Sequence, residues 1–429
     1  MTEETDFNLS DYYTGNSYDE TSPSKTPEYD FTDFDEGAAI SVPKQADIEP
    51  EKPKIDETRR ALPCDVDDLD LQQPPGFVGA VADWIDGQCR YPRRKLAVAS
   101  AIVAIGNIGG MRHEDARDGV TANMMAFCVA ASSTGKEAVT QAFTELHVKA
   151  GIQAALHGSM KSEQEVTRNA VEHQGIFFNI DEIGIFLTKV RRAQKGNGNA
   201  AYLEGIFGVL MSMYSKANSV FPLSGDMTRD LRNVYAKQLS TAQDRDEEAQ
   251  IMAAQRKLDM LDAGLDRPFM SLIGYTTPST FDGVMDAETA TQGLVGRAII
   301  VNEPDINPHP RLGFKRLEMP LTMQMKVFAM TGRQVGDKGI VEHRGERVPV
   351  ETDDDAGALL DAILLWLIEY AQEADEATGE ASVAMVRRAF EMVAKVSFIL
   401  SIPERRRTLE HVRWAFAYVK AELDNKVAL

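Results

Sequence analysis

Residues 129–139 read VAASSTGKEAV, two letters away from the phosphate-loop pattern G-x-x-x-x-G-K-[ST]. Ala130 stands in place of the first glycine, and Glu137 in place of the Ser or Thr. The parts that act on phosphate are kept. Gly135 allows close backbone approach, and Lys136 supplies a cation. The amides of Ala131, Ser132, Ser133, Thr134, Gly135, Lys136 and Glu137 lie where a helix N-terminus can aim them at an anion. Ala130 is the smaller departure, because the first glycine mainly shapes the turn. Glu137 is the larger one: the usual hydroxyl ligates Mg2+, whereas a carboxylate must reach the metal directly or through water.

The setting of this loop carries as much weight as its letters. MMAFCVAA, residues 124–131, is an apolar run of strand length, and KEAVTQAFTELHVKAG follows the loop. There Val139, Ala142, Phe143 and Leu146 share one helical face, with Gly151 as the stop. Further buried strands are expected in residues 175–184 (GIFFNIDEIG), 269–277 (FMSLIGYTT) and 297–302 (RAIIVN). Short apolar strands alternating with helical stretches predict a parallel α/β sheet covered on both faces. The expected fold is an α/β P-loop NTPase parallel sheet, with helical N- and C-terminal additions.

The expected organisation is a disordered acidic tail over residues 1–75, a helical segment over 76–120, an ATPase core over 121–320 and a mainly helical region over 321–429. Residues 1–75 hold 20 Asp/Glu against 6 Lys/Arg, a net of −14, so −6 of the total −20 remains for the rest. Such a tail has too little apolar surface to offset its chain entropy. It is either solvated or an acidic peptide that docks on a basic groove. GIVEHRGERVPV, residues 339–350, suggests a hairpin turning at Arg344–Gly345. Cys64, Cys89 and Cys128 show neither metal spacing nor a disulfide framework. The sequence shows no signal peptide and no membrane span, so a cytoplasmic location is expected.

The second chemical motif is the acid pair Asp181–Glu182 at the end of FFNI. In order after the phosphate loop, Asp181 is the candidate Mg2+ carboxylate and Glu182 the candidate base for attacking water. The alternative is a strand that leaves the core through two acids. Thr276 and Thr277 end another strand, where a polar group can sit between water and γ-phosphate or simply cap the strand. Arg297, after a glycine-punctuated loop, is a candidate finger across a subunit interface or a surface ion-pair partner.

The succession PPGFVGAVADWI, VAASSTGKEAV, HGSMKSEQEVTRNAVEHQGIFFNIDEIG, IGYTTPSTF and GLVGRAIIV resembles a family of phage and prophage ATPases that stand near, or fused to, primase and helicase modules. The resemblance covers roughly residues 60–425. The TGKE string is also similar to that of bacterial enhancer-binding AAA+ activators. The family's core resembles the RecA-like and MCM-like motor fold. The resemblance implies ATP and Mg2+ as ligands and motor-site roles for Lys136, Asp181, Glu182, Thr277 and Arg297.

A replicative helicase-like DNA motor is therefore expected, working as a homo-oligomeric ring (possible as a hexamer) on single-stranded DNA beside replication proteins. A helicase loader or assembly protein that does not unwind, or a non-hydrolysing relative, is the other reading. Lys189, Arg191, Arg192 and Lys195 in TKVRRAQKGNGNAAY form the candidate DNA-contact loop. Arg90, Arg93, Arg94 and Lys95 are a minor candidate. Arg405–Arg407 are expected to cap a turn, face solvent or reach the nucleotide as a lid.

Overall fold

The computed structural model describes residues 61–173, 175–194, 201–244, 247–282, 294–336, 339–342, 347–378 and 380–427. Residues 61–429 form one compact unit. That unit begins earlier than position 76. Residues 61–75 lie against the last helix, where Arg413 donates to the Asp65 carbonyl and Trp414 Nε1 to the Asp70 carbonyl.

Five strands make the central sheet: β1 (Met125–Ala130), β2 (Leu156–His157), β3 (Gly175–Ile180), β4 (Phe269–Thr276) and β5 (Ala298–Glu303). Their spatial order is β2-β3-β4-β1-β5, and every pairing is parallel. The four long strands match the apolar runs. The two-residue β2 has too few side chains to leave a periodic signal.

Alternation explains why β1 reads as continuous apolar sequence. Ala126, Cys128 and Ala130 enter one core, with α2 (Arg94–Gly109), α3 (Lys136–Lys149) and the C-terminal helices. Met125, Phe127 and Val129 enter the other, with Val166 and Ala170 of α4 (Glu163–Glu172) and Ile183 and Leu187 of α5 (Ile183–Gln194). A strand covered on both faces needs an apolar residue at every position. The same logic makes α2 apolar all round: it is buried from Leu96 to Gly109.

The helix after β1 ends as the sequence predicts. Gly151 has φ 75°, and Ile152 N–H donates to the His147 carbonyl at 3.0 Å, closing the last turn. The open edge of β5 is covered by helix Leu409–Val427. Glu422 Oε1 accepts from Ile300 N–H at 2.9 Å, and Lys426 Nζ donates to the Ala298 carbonyl, so two side chains replace a sixth strand.

Two expectations are corrected. Gly339–Glu342 pairs antiparallel with Arg333–Gly336, not with the residues after position 346. Val348–Thr352 joins His113–Asp115 and Arg406–Arg407 in a separate parallel sheet. Arg407 is no lid: it is fully buried and paired with the equally buried Asp115 at 2.9 Å, while Arg406 bonds Asp353. That pair joins the N-terminal helical segment to the C-terminal one.

His147 is enclosed between Phe143 and Phe177. Its Nδ1 meets the Phe143 carbonyl at 2.8 Å and its Nε2 meets Asn107 at 3.1 Å. Burial pushes its pKa from 6.5 down to about 4, and does the same to His411. Between these values the unfolded chain binds protons that the folded chain excludes, so stability is lost as pH falls from 6.5 towards 4. The His147 share is about 3 kcal/mol. Urea unfolding of His147→Gln should show a shallower acid limb than the parent between pH 7 and pH 4. Identical slopes would mean that His147 is not held neutral.

Candidate phosphate site

The loop of residues 131–135 leaves the carboxyl end of β1 and enters α3 at Lys136. Two residues take left-handed backbone, Ser133 (φ 59°) and Gly135 (φ 102°). A side chain at Gly135 would place its Cβ 3.0 Å from the Tyr91 carbonyl, so glycine is required there by both conformation and space. Thr134 Oγ1 donates back to the Ala131 carbonyl at 2.7 Å, while Ser132 and Ser133 are exposed. Ala130 is fully buried with its methyl in the core, which accounts for a residue larger than glycine at that place.

Lys136 is only 7% exposed. Its Nζ donates to the Ala130 carbonyl at 3.1 Å and to the Thr276 carbonyl at 3.0 Å. It stands 3.9 Å from Glu182 Oε1. Desolvation lowers its pKa, Glu182 and Asp181 oppose that shift, and Arg93 adds to it. Strand order brings these groups together: β4 lies between β1 and β3, so the lysine spans from the end of β1 to the end of β4 and faces the acid that follows β3.

Glu182 has φ 54°, a left-handed conformation in which L side chains are strained by about 1–3 kcal/mol. It sits at the turn into α5, and its N–H bonds to the exposed Asp181 carboxylate at 3.1 Å. Asn179, two residues before Asp181, donates to the Thr140 carbonyl and to Thr144 Oγ1, and so locks β3 to α3. Its sequence context, one polar letter in an apolar strand, was the signal that could have found it.

The other expected site residues are placed as follows. Thr277 caps the short helix Pro278–Asp282, accepting from Phe281 N–H and meeting Thr280 Oγ1 at 2.9 Å. Thr276 lies nearer Lys136, and its buried hydroxyl has no hydrogen-bond partner. Glu137 is exposed on the first turn of α3 and accepts from Gln141 at 3.0 Å, an i,i+4 contact along its own helix. Arg297 immediately precedes β5, at the amino end of the sheet, where its charge acts on Arg388 and Lys395. Lys136 lies at the opposite, carboxyl end, so the structure does not join the two within one chain.

The basic stretch after Glu182 is helix rather than loop. Lys189, Arg191 and Arg192 belong to α5, with Lys189 exposed, and Lys195 lies outside the described residues. Of the 90–95 cluster, Arg90 and Lys95 are exposed and the other two cations are engaged. Arg94 pairs with Asp83 and bonds Gln72 and Gln73, and Arg93 is fully buried behind the loop. Compared with known protein families, curated proteins and solved structures, this chain matches none.

Gly135→Ala should lower stability by about 1–3 kcal/mol, from the left-handed φ and the contact with Tyr91. Gly208→Ala is the matched control: its helix position has nothing within 4 Å of an added Cβ, so it should gain about 1 kcal/mol. Equal effects in urea unfolding would contradict the strained loop geometry.

Proposed function

We propose that this chain is a P-loop ATPase that binds a nucleoside triphosphate at residues 131–137 and hydrolyses it with Glu182. The observation that carries the reading is the 3.9 Å approach of Lys136 Nζ to Glu182 Oε1 across an intervening strand. A cation at a helix N-terminus and a carboxylate facing it are the two groups that γ-phosphoryl transfer to water needs on opposite sides of the reacting atom.

The residues fit a bound triphosphate. Gly135 lets the loop lie close against Tyr91, where a Cβ would crowd the Tyr91 carbonyl, and the loop amides begin a 14-residue helix. The two carbonyls that now hold Lys136 are weak partners for an ammonium ion, so phosphate oxygens can replace either one. Glu182 would accept the proton of the attacking water as its oxygen bonds to the γ-phosphorus and ADP leaves. Among the described residues no three His, Cys, Asp or Glu side chains form a cation cluster. Mg2+ fits that donor set, because it takes one or two carboxylates and completes its shell with phosphate oxygens and water. Asp181 would hold it, and it would neutralise charge developing on those oxygens. Glu137, turned to Gln141, would act only through water.

Hydrolysis at the interfaces of an oligomer moving on single-stranded DNA is the fuller form of the proposal. Arg297 is compatible with it by position, since it lies at the end of the sheet away from Lys136 and would serve a neighbouring copy's nucleotide rather than its own. Lys189, exposed on the helix that follows the acid pair, supports a nucleic-acid contact.

Lys136→Ala should abolish ATP binding. Glu182→Gln should bind normally and lose at least about 100-fold in turnover. Wild-type hydrolysis by Glu182→Gln would remove the assigned base. Stimulation of turnover by single-stranded DNA separates a motor from a loader that only binds.

For the oligomer, subunits carrying Arg297→Ala mixed with subunits carrying Glu182→Gln should recover part of the activity that each lacks alone. No recovery in assembled mixtures would place Arg297 outside the neighbour's site.

A further inference from the structure

Arg93 is fully buried, with 0% of its surface exposed. Its Nε donates to the Thr134 carbonyl inside the candidate phosphate loop, and its Nη2 donates to the Asp305 carbonyl at 3.0 Å. Its Nη1 has no partner and no solvent. Its stem packs under Gly135, where an added Cβ would lie 3.6 Å from Arg93 Cγ.

Among the described residues this guanidinium makes no ion pair. The nearest acids are already engaged. Asp86 accepts from the backbone N–H of Arg93 at 2.8 Å and pairs with Arg311. Glu303 accepts from Leu96 N–H at 3.4 Å; burial raises its pKa, and although the Arg93 charge opposes that shift, the two groups form no ion pair. Two carbonyl oxygens do not balance a buried positive charge. A buried cation with only partial compensation is costly, and a ligand that brings negative charge relieves that cost.

We propose that Arg93 is a positioning residue that holds a second positive charge beneath the phosphate loop, so that the loop selects ligands by their number of negative charges. The inference rests on the nucleotide reading of residues 131–137. Arg93 touches no ligand; it acts through Thr134, whose carbonyl it fixes, and through its field, which reaches the loop from the protein side. Low dielectric makes such a field stronger than that of an exposed arginine.

The test is calorimetric binding of ATP, ADP and AMP to the full chain without Mg2+, comparing wild type, Arg93→Gln, Arg93→Lys and Lys136→Ala, with circular dichroism to verify folding. Arg93→Gln should weaken ATP about tenfold, ADP about threefold and AMP scarcely at all. Arg93→Lys, which keeps the charge, should keep the wild-type ratio of ATP to ADP affinity. Equal weakening for all three ligands, or none, would reduce Arg93 to a brace and overturn the proposal. Should Arg93→Gln fail to fold, loss of the ATP-over-ADP ratio in folded Arg93→Lys overturns it, and retention supports it. If wild type and Lys136→Ala behave alike, the nucleotide reading fails and this inference fails with it. If only Lys136→Ala loses binding, the nucleotide reading stands and this inference alone is lost.

Discussion

The ammonium of Lys136 is a tie between two strand ends, and the site is organised around it. One hydrogen bond runs to the last residue of β1 and the other to the last residue of β4, with Glu182 beyond. That geometry exists only because β4 separates the loop strand from the acid strand. With β1 and β3 adjacent, the lysine would lie directly against the acid pair, leaving no room for a phosphoryl group between them. A long, flexible side chain held by neutral acceptors can move to an incoming anion at modest cost. A tight ion pair with Glu182 would resist that movement, and 3.9 Å is longer than a strong charge-assisted hydrogen bond.

Charge near the loop is arranged in depth. Lys136 is buried at the carboxyl end of the sheet and Arg93 lies beneath the loop, while Glu182 faces the lysine. Burial is the main cause of the lowered pKa of Lys136, and repulsion from Arg93 adds to it against the pull of Glu182 and Asp181. Folding alone gains nothing from that repulsion. The arrangement makes sense as preorganisation, in which the unfavourable assembly of charge is completed during folding and relieved when an anion arrives.

Much of this was legible in the sequence because burial on two faces leaves continuous apolar runs. The four long strands, the helix stop at Gly151 and the order of loop and acid pair followed from that pattern. What was not legible has physical reasons. Arg93 reads like any cation at a helix start, since nothing local shows that the chain folds over it. The strand Leu156–His157 is too short to show a period. Residues 339–350 look like one hairpin because both halves alternate, yet Val348–Thr352 finds a better partner in His113–Asp115, far away in the chain. Thr276 and Thr277 are adjacent letters whose roles diverge only when one faces the core and the other begins a helix.

Amide hydrogen exchange with and without ATP and Mg2+ tests the central claim most directly, because it asks where a ligand sits without altering any residue. The account predicts slowed exchange concentrated in residues 131–138 and in the turn 181–184, where backbone amides face the ligand. Protection confined to some other part of the chain, or none at saturating ATP, would contradict it.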